Sequence, residues 1–255
     1  MPNQLSGRHA LITGGGKGIG AAAARALAER GAVLTLTGRD MAALEDVAAG
    51  LPNARALRLD VRDEAQVKAA FEQAAAVNGP VSILVNNSGI AETAPFLKIT
   101  ADQMRAIMEV NLIGAMLCAQ GALPGMIAAG WGRIVNVASL ASVHGPAYLG
   151  AYAASKHALL GLTRVLAAET AKQNITVNAV CPGYVRTAMV ERGLDNMVAK
   201  TGMSRDEALA QLVRHNPQGR LIEPEEVGET IAWLCGIGGA SVTGQAIVIS
   251  GGEVT

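Results

Sequence analysis

Tyr152 and Lys156 stand four apart in an Ala-rich stretch with helical spacing. A helix of 3.6 residues per turn puts such a pair on one face, one turn apart. A phenol ordinarily ionises near pH 10. A neighbouring ammonium favours the phenolate and brings proton transfer toward neutral pH, so the two are a candidate acid–base couple. Ser139 lies upstream, just after the apolar run 133–138. If that run is a strand of a parallel sheet, Ser139 sits at its carboxyl end, where ligands bind in open α/β folds. Asn111, between Val110 and Leu112, is an amide that needs partners once buried. Asn111, Ser139, Tyr152 and Lys156 form the candidate catalytic set.

A second chemistry is written near the start, in Thr13-Gly14-Gly15-Gly16-Lys17-Gly18-Ile19-Gly20. It follows one short apolar run and opens a helical pattern. Gly14 permits a tight turn, Gly18 lets the backbone approach a pyrophosphate, and Gly20 lets the helix pack close to the strand. The helix start supplies free N–H groups and a partial positive charge. The candidate dinucleotide residues here are Gly14, Gly16, Lys17, Gly18, Ile19 and Gly20. The next run ends Leu36-Thr37-Gly38-Arg39. An acid there reads the ribose of NAD, but Gly38 holds that place. Arg39 and Lys17 suit a 2′-phosphate, which favours NADP(H). Asp40, one place later, keeps NAD(H) as the alternative.

These side chains need a scaffold. Seven short apolar runs, 9–13, 32–37, 54–59, 81–85, 133–138, 175–180 and 245–249, have the length and continuity of buried parallel strands. Helical patterns lie between them, at about 18–30, 40–50, 63–78, 101–129, 151–172 and 224–235. The alternation predicts an α/β fold, a doubly wound parallel sheet of seven strands with helices on both faces. Segment 186–216 has helical spacing without a following strand and reads as a small helical lid. No linker or repeat divides the chain, so one domain over 1–255 is expected.

Composition narrows the function. Half of the 255 residues are hydrophobic, 16% are charged, and 21 acids balance 21 bases. That removes the electrostatic case for a nucleic-acid or polybasic membrane binder and excludes disorder. Cys118, Cys181 and Cys235 offer neither a disulfide framework nor zinc spacing, and the four histidines have no metal-ligand spacing. No metal is expected, and a reducing, cytoplasmic location fits. The opening Met1-Pro2-Asn3-Gln4-Leu5 lacks the marks of a signal peptide. No uninterrupted apolar run reaches the ~18 residues of a membrane span.

Taken together, Thr13-Gly14-x-x-x-Gly18-x-Gly20, Asp60-Val61, Asn86-Asn87-Ser88-Gly89, Asn111, Ser139, Tyr152-x-x-x-Lys156 and Pro182-Gly183 resemble the short-chain dehydrogenase/reductase family over essentially the whole chain. The family usually has Ala at Ser88. The resemblance implies a Rossmann-type fold and hydride transfer between a nicotinamide and the carbon of a ketone or secondary alcohol. Tyr152 is then the proton donor or acceptor. Lys156 lowers its pKa and holds the nicotinamide ribose, Ser139 polarises the carbonyl, and Asn111 holds a relay water. Asp60 and Val61 approach the adenine, and Asn87 and Gly89 the adenosine side. Pro182, Gly183, Val185 and Thr187 approach the carboxamide. The resemblance also implies a homo-oligomer, a tetramer built on the 101–129 and 151–172 helices and on the last strand with the Gly251-Gly252 tail.

The substrate is a small carbonyl or alcohol compound. Features such as Pro217-Gln218-Gly219-Arg220 and Thr243-Gly244-Gln245 resemble the 3-oxoacyl-thioester and aromatic polyketide reductase branches. Cations outnumber acids between 186 and 220, as a coenzyme A or acyl-carrier phosphate would want. A cyclic-alcohol, sugar, steroid or 3-hydroxyacyl-CoA dehydrogenase using NAD is the alternative. The intact catalytic set argues against a silent nucleotide sensor. Ser142, His144 and Tyr184 are further pocket candidates, Met189, Met197 and Met203 suggest an adaptable lid wall, and Cys181 reads as a buried structural thiol.

Overall fold

The computed structural model describes residues 3–254, so Met1, Pro2 and Thr255 lie outside the described residues. Seven runs of branched and small apolar residues form strands: β1 (His9–Thr13), β2 (Val33–Gly38), β3 (Ala54–Arg58), β4 (Ile83–Asn86), β5 (Gly132–Val137), β6 (Ile175–Pro182) and β7 (Ala246–Ile249). They pair in parallel as one sheet, in the order β3-β2-β1-β4-β5-β6-β7. β1, β4, β5 and β6 are buried along their whole length, as a sheet covered on both faces requires. The edge strand β3 carries exposed Arg55 and Arg58. The chain winds outward in both directions from β1 and β4, whose register is Ala10 against Ile83. The crevice above that pair is the topological switch point, where such folds bind ligands.

The helices are α1 (Gly18–Ala28), α2 (Met41–Ala49), α3 (Glu64–Asn78), α4 (Ala101–Met108), α5 (Gly114–Ala129), α6 (Gly150–Thr170), α7 (Ala188–Thr201), α8 (Arg205–Val213) and α9 (Pro224–Cys235). One face of the sheet packs against α1 and α9, with Leu27, Leu34, Leu36 and Ile231 at the centre. α1 presents Ala21 to Ala24, all buried. That small-residue stripe lets α9 approach until a Cβ on Gly228 would stand 2.7 Å from the Ala22 carbonyl carbon. The other face packs against α3 and α5 through Phe71, Leu84, Met126 and Ile134. The 186–216 lid is two helices, α7 and α8, which pack mainly on each other.

Segment 101–129 differs from a plain helix. α4 and α5 are joined by a π-helical turn, Glu109–Ile113, which makes one continuous 29-residue helical stretch. It is the one helix among the described residues long and apolar enough to cross a bilayer. Asn111 and Gln120 break its apolar run without adding charge, so the sequence shows no uninterrupted apolar run of that length here. Its α5 half covers β4 and β5 and touches α3 and α6, which is the position of a sheet-covering helix.

Candidate active site

Strand ends position the candidates. Ser139 stands two residues beyond β5 and starts a single 3₁₀ turn, Leu140–Ser142. Its hydroxyl oxygen accepts from Ala141 N at 3.1 Å, and its own N–H donates to Ser142 Oγ at 3.2 Å. This reciprocal box uses the acceptor side of the Ser139 hydroxyl and leaves its proton free to point elsewhere. Ser142 is buried, so its hydroxyl braces the turn from within. Tyr152 and Lys156 lie on α6, one turn apart, as their spacing requires.

The electrostatics differ from the simple picture of an ammonium lowering a phenol. Burial is the largest influence on Tyr152 and raises its pKa above 10, while the adjoining Ser139 hydroxyl pulls the other way. Lys156 Nζ lies over the ring, 5.7 Å from its centroid. Burial also pushes Lys156 down, to about 8. A low-dielectric site disfavours both charged forms at once, so the two groups are drawn toward their neutral states together. Lys156 donates to Val137 O at 2.9 Å and has further N–H groups to offer. A Cβ on Gly89 would stand 3.5 Å from its Nζ.

Asn111 is buried in the π turn. Its Oδ1 accepts from Ile90 N at 2.8 Å, and its Nδ2 donates to Ile90 O at 3.0 Å and to Ser155 Oγ at 3.0 Å. The wider turn lets this amide clamp the chain beyond β4 to α6. Gly89, Asn111, Ser139, Tyr152 and Lys156 thus meet at the carboxyl edge of the sheet. Cys181 is fully buried beside Ser139 and Ser142, with its thiol pushed up to about 11 by burial. Tyr184 is close enough to raise Tyr152 further, while His144 is exposed in the loop after Ser142.

The glycine turn occupies the switch point. Gly14 has φ +65°, in the left-handed region. A Cβ on Gly20 would collide with Gly14 O and stand 2.6 Å from Asn87 Nδ2. Only glycine allows α1 to start this close to β1. Asn87 Nδ2 donates to Thr13 O at 2.9 Å and Gly14 O at 3.0 Å, and Thr13 Oγ1 accepts from Asn87 N and Ser88 N. The Asn87 amide group therefore stitches the two loops across the crevice and is less available to a ligand than its position alone suggests. Lys17 precedes α1 without capping it, and the first turn holds no acid. Its N–H groups and dipole are open to an anion. Thr187, which precedes α7, lies over this turn, its Cγ2 3.0 Å from where a Gly18 Cβ would be.

Other candidates have partners that the sequence did not reveal. Lys17 Nζ pairs with Asp40 Oδ2 at 2.7 Å, and Asp40 also caps α2 at Ala43 N. Lys17 and Asp40 were competing ribose readers in the sequence, and here they neutralise each other. Arg39 is exposed beside them. Asp60 is held near pKa 2, chiefly by Arg62. Val61 is buried against α5, where a Cβ on Gly114 would stand 2.6 Å from its Cγ2. Gly16 lies against the first turn of α2, and Ile19 packs on the core. Pro182 ends β6, Gly183 N donates to Ile249 O at 2.9 Å, and Val185 is buried beside Ile222. Part of the basic excess is paired: Arg205 with Glu191 and Asp195, Arg186 with Glu223, and Arg220 with Glu226, while Arg192, Lys200 and Arg214 are exposed without an acid partner among the described residues.

The family model described as enoyl-(acyl carrier protein) reductase matches residues 14–253. The cis-4-hydroxycyclohexanecarboxylate dehydrogenase of Sinomonas cyclohexanicum is 40% identical, covering 99% of this chain and 98% of its own. The 3-oxoacyl-(acyl-carrier-protein) reductase of Aquifex aeolicus is 33% identical, covering 99% of each chain. Among solved structures, a single-substitution variant of actinorhodin polyketide ketoreductase with NADPH is 35% identical, covers 99% of each chain and superposes with a TM-score of 0.92.

Proposed function

The chain belongs to the short-chain dehydrogenase/reductase family, whose members here are dehydrogenases and reductases of alcohol and ketone groups, and from that premise we propose an NADP(H)-dependent enzyme that interconverts a ketone and a secondary alcohol. The observation that carries this reading is the meeting of Ser139, Tyr152 and Lys156 beside the glycine turn. The close approach at Gly20 and the uncapped start of α1 fit a dinucleotide's pyrophosphate. When bound, the nicotinamide supplies or accepts the hydride. Ser139, its acceptor side already used by Ala141 N, turns its proton to the carbonyl oxygen. Tyr152 gives its phenolic proton to that oxygen in reduction and takes it back in oxidation. Lys156 offers its remaining N–H groups to ribose hydroxyls. Asn111 holds the chain at Ile90 against α6 and so keeps Lys156 in register.

Arg39 supports NADP(H), since it is exposed at the end of β2 where Gly38 replaces an acid. Asp40 favours the second reading, NAD(H), if it leaves Lys17 for a ribose. The pairing of Arg186, Arg205 and Arg220 with acids weakens the case for a 3-oxoacyl thioester carrying coenzyme A or carrier phosphates. The relative named for a hydroxylated cyclohexane supports a compact alicyclic or alkyl substrate instead. We also read α5 and α6 as a self-association surface of a homotetramer, supported by half-exposed apolar residues such as Val165 and Ile127. The three free, buried cysteines suit the cytoplasm.

The test is turnover of a ketone panel with NADPH and with NADH, by wild type and by Tyr152→Phe. Wild type is expected to favour NADPH, and Tyr152→Phe to bind NADPH normally while losing at least 100-fold in kcat. Retained turnover by the variant would remove Tyr152 from the chemistry.

A further inference from the structure

Four described residues other than glycine have a positive φ: Asn3, Asn53, Asn174 and Tyr148, the last at +67°. Asn enters that region readily, because its short side chain bonds locally, whereas a bulky aromatic is disfavoured there. Tyr148 is therefore the place where the chain holds a strained backbone with an ill-suited residue. Burial does not reward the strain, since the side chain is 67% exposed. The backbone is nonetheless held, because Tyr148 O accepts from Ala94 N at 2.9 Å. That bond latches the loop between Ser139 and Tyr152 onto the segment leading away from Gly89.

The other side of the latch is apolar and open. Phe96 is 83% and Leu97 96% exposed. A Cβ on Gly150, two residues past Tyr148, would stand 3.9 Å from Phe96 Cδ2. The chain has only two Phe and three Tyr, so two exposed rings, one on the loop between Ser139 and Tyr152 and one on the segment that follows Gly89, go against its composition. Strain that persists at a site's edge points to function, and uncharged rings offer contact area without a partner for a charged tail.

We propose that Tyr148 is a specificity-determining residue, whose ring the positive φ presents to the apolar body of the ketone or alcohol. This rests on the reading of Ser139 and Tyr152 as the reacting pair. The ring contributes binding shared by ground and transition states, so its loss raises KM and leaves kcat.

The test compares wild type, Tyr148→Asn and Tyr148→Phe on 2-butanone, 2-octanone and 4-phenyl-2-butanone, with Tm and oligomeric mass recorded for each. Asn suits the positive φ, so Tyr148→Asn is expected to raise Tm by about 2–4 °C. It is also expected to raise KM for the two larger ketones about ten-fold, equal to about 1.4 kcal/mol, with kcat held. KM for 2-butanone should move less than two-fold, and Tyr148→Phe should behave as wild type. A lowered Tm in Tyr148→Asn would make the ring a packing element and overturn the proposal. An unchanged KM for the larger ketones overturns it too, and a changed oligomeric mass with that result assigns the ring to a subunit contact. If wild type turns over none of the ketones, the parent reading fails and this inference falls with it.

Discussion

Lys156→Met should make the cofactor-free protein more stable at neutral pH. Burial lowers Lys156 from its ordinary 10.5 to about 8, and the residue is only 4% exposed. At 1.36 kcal/mol per pH unit, that gap is worth about 3 kcal/mol. Below pH 8 the folded and unfolded chains both carry the proton, and the fold bears the whole cost. Between pH 8 and 10.5 the folded chain releases its proton first. The unfolded chain then binds more protons, so wild-type stability gains with pH. Met has similar volume and no charge, but it abandons the hydrogen bond to Val137 O, a loss of about 1–2 kcal/mol at every pH. The variant should thus be about 1–2 kcal/mol more stable than wild type at pH 7 and less stable by a similar amount at pH 10.5. Urea unfolding of both proteins across that range gives the difference curve, in which titrations common to both cancel. A flat difference from pH 7 to 10.5 would refute the argument, because it would mean that Lys156 ionises as in water.

Gly20→Ala should push Asn87 off the Thr13 and Gly14 carbonyls, costing two hydrogen bonds of about 1 kcal/mol each. Thermal melts should show Tm lower by about 4–8 °C, and NADPH titration a Kd raised more than ten-fold. Asp40→Ala removes the cap of α2 and releases Lys17, so Tm should fall by about 2–4 °C while NADPH binds more tightly and NADH does not. Ser142→Ala leaves the Ser139 N–H without its hydroxyl partner, so kcat should fall about ten-fold with KM held, read by steady-state kinetics.

What was legible in the sequence was what local geometry forces. Gly20 must be glycine because any Cβ meets the residue six places earlier, and Tyr152 and Lys156 share a face because a helix has a fixed pitch. β1, β4, β5 and β6 announced themselves as apolar runs bounded by turns, since a strand covered on both faces has no polar side to show. Residues whose meaning depends on a partner far along the chain were not legible. Lys17 and Asp40 each suit a ribose phosphate or hydroxyl when read alone, and the fold brings them together across 23 residues. Arg186 and Arg220 likewise suit a phosphate when read alone, and the fold pairs them with Glu223, which precedes α9, and with Glu226 in its first turn. Burial was the other hidden quantity. A Tyr–Lys pair in water is an acid and a base that charge each other, whereas under α6 the loss of solvation outweighs that attraction. At pH 7 Tyr152 is then a neutral phenol, while Lys156, with its pKa at about 8, still carries its proton. Lys156 can then release its proton well below its ordinary 10.5, which leaves it nearer to proton exchange at neutral pH than a lysine in water.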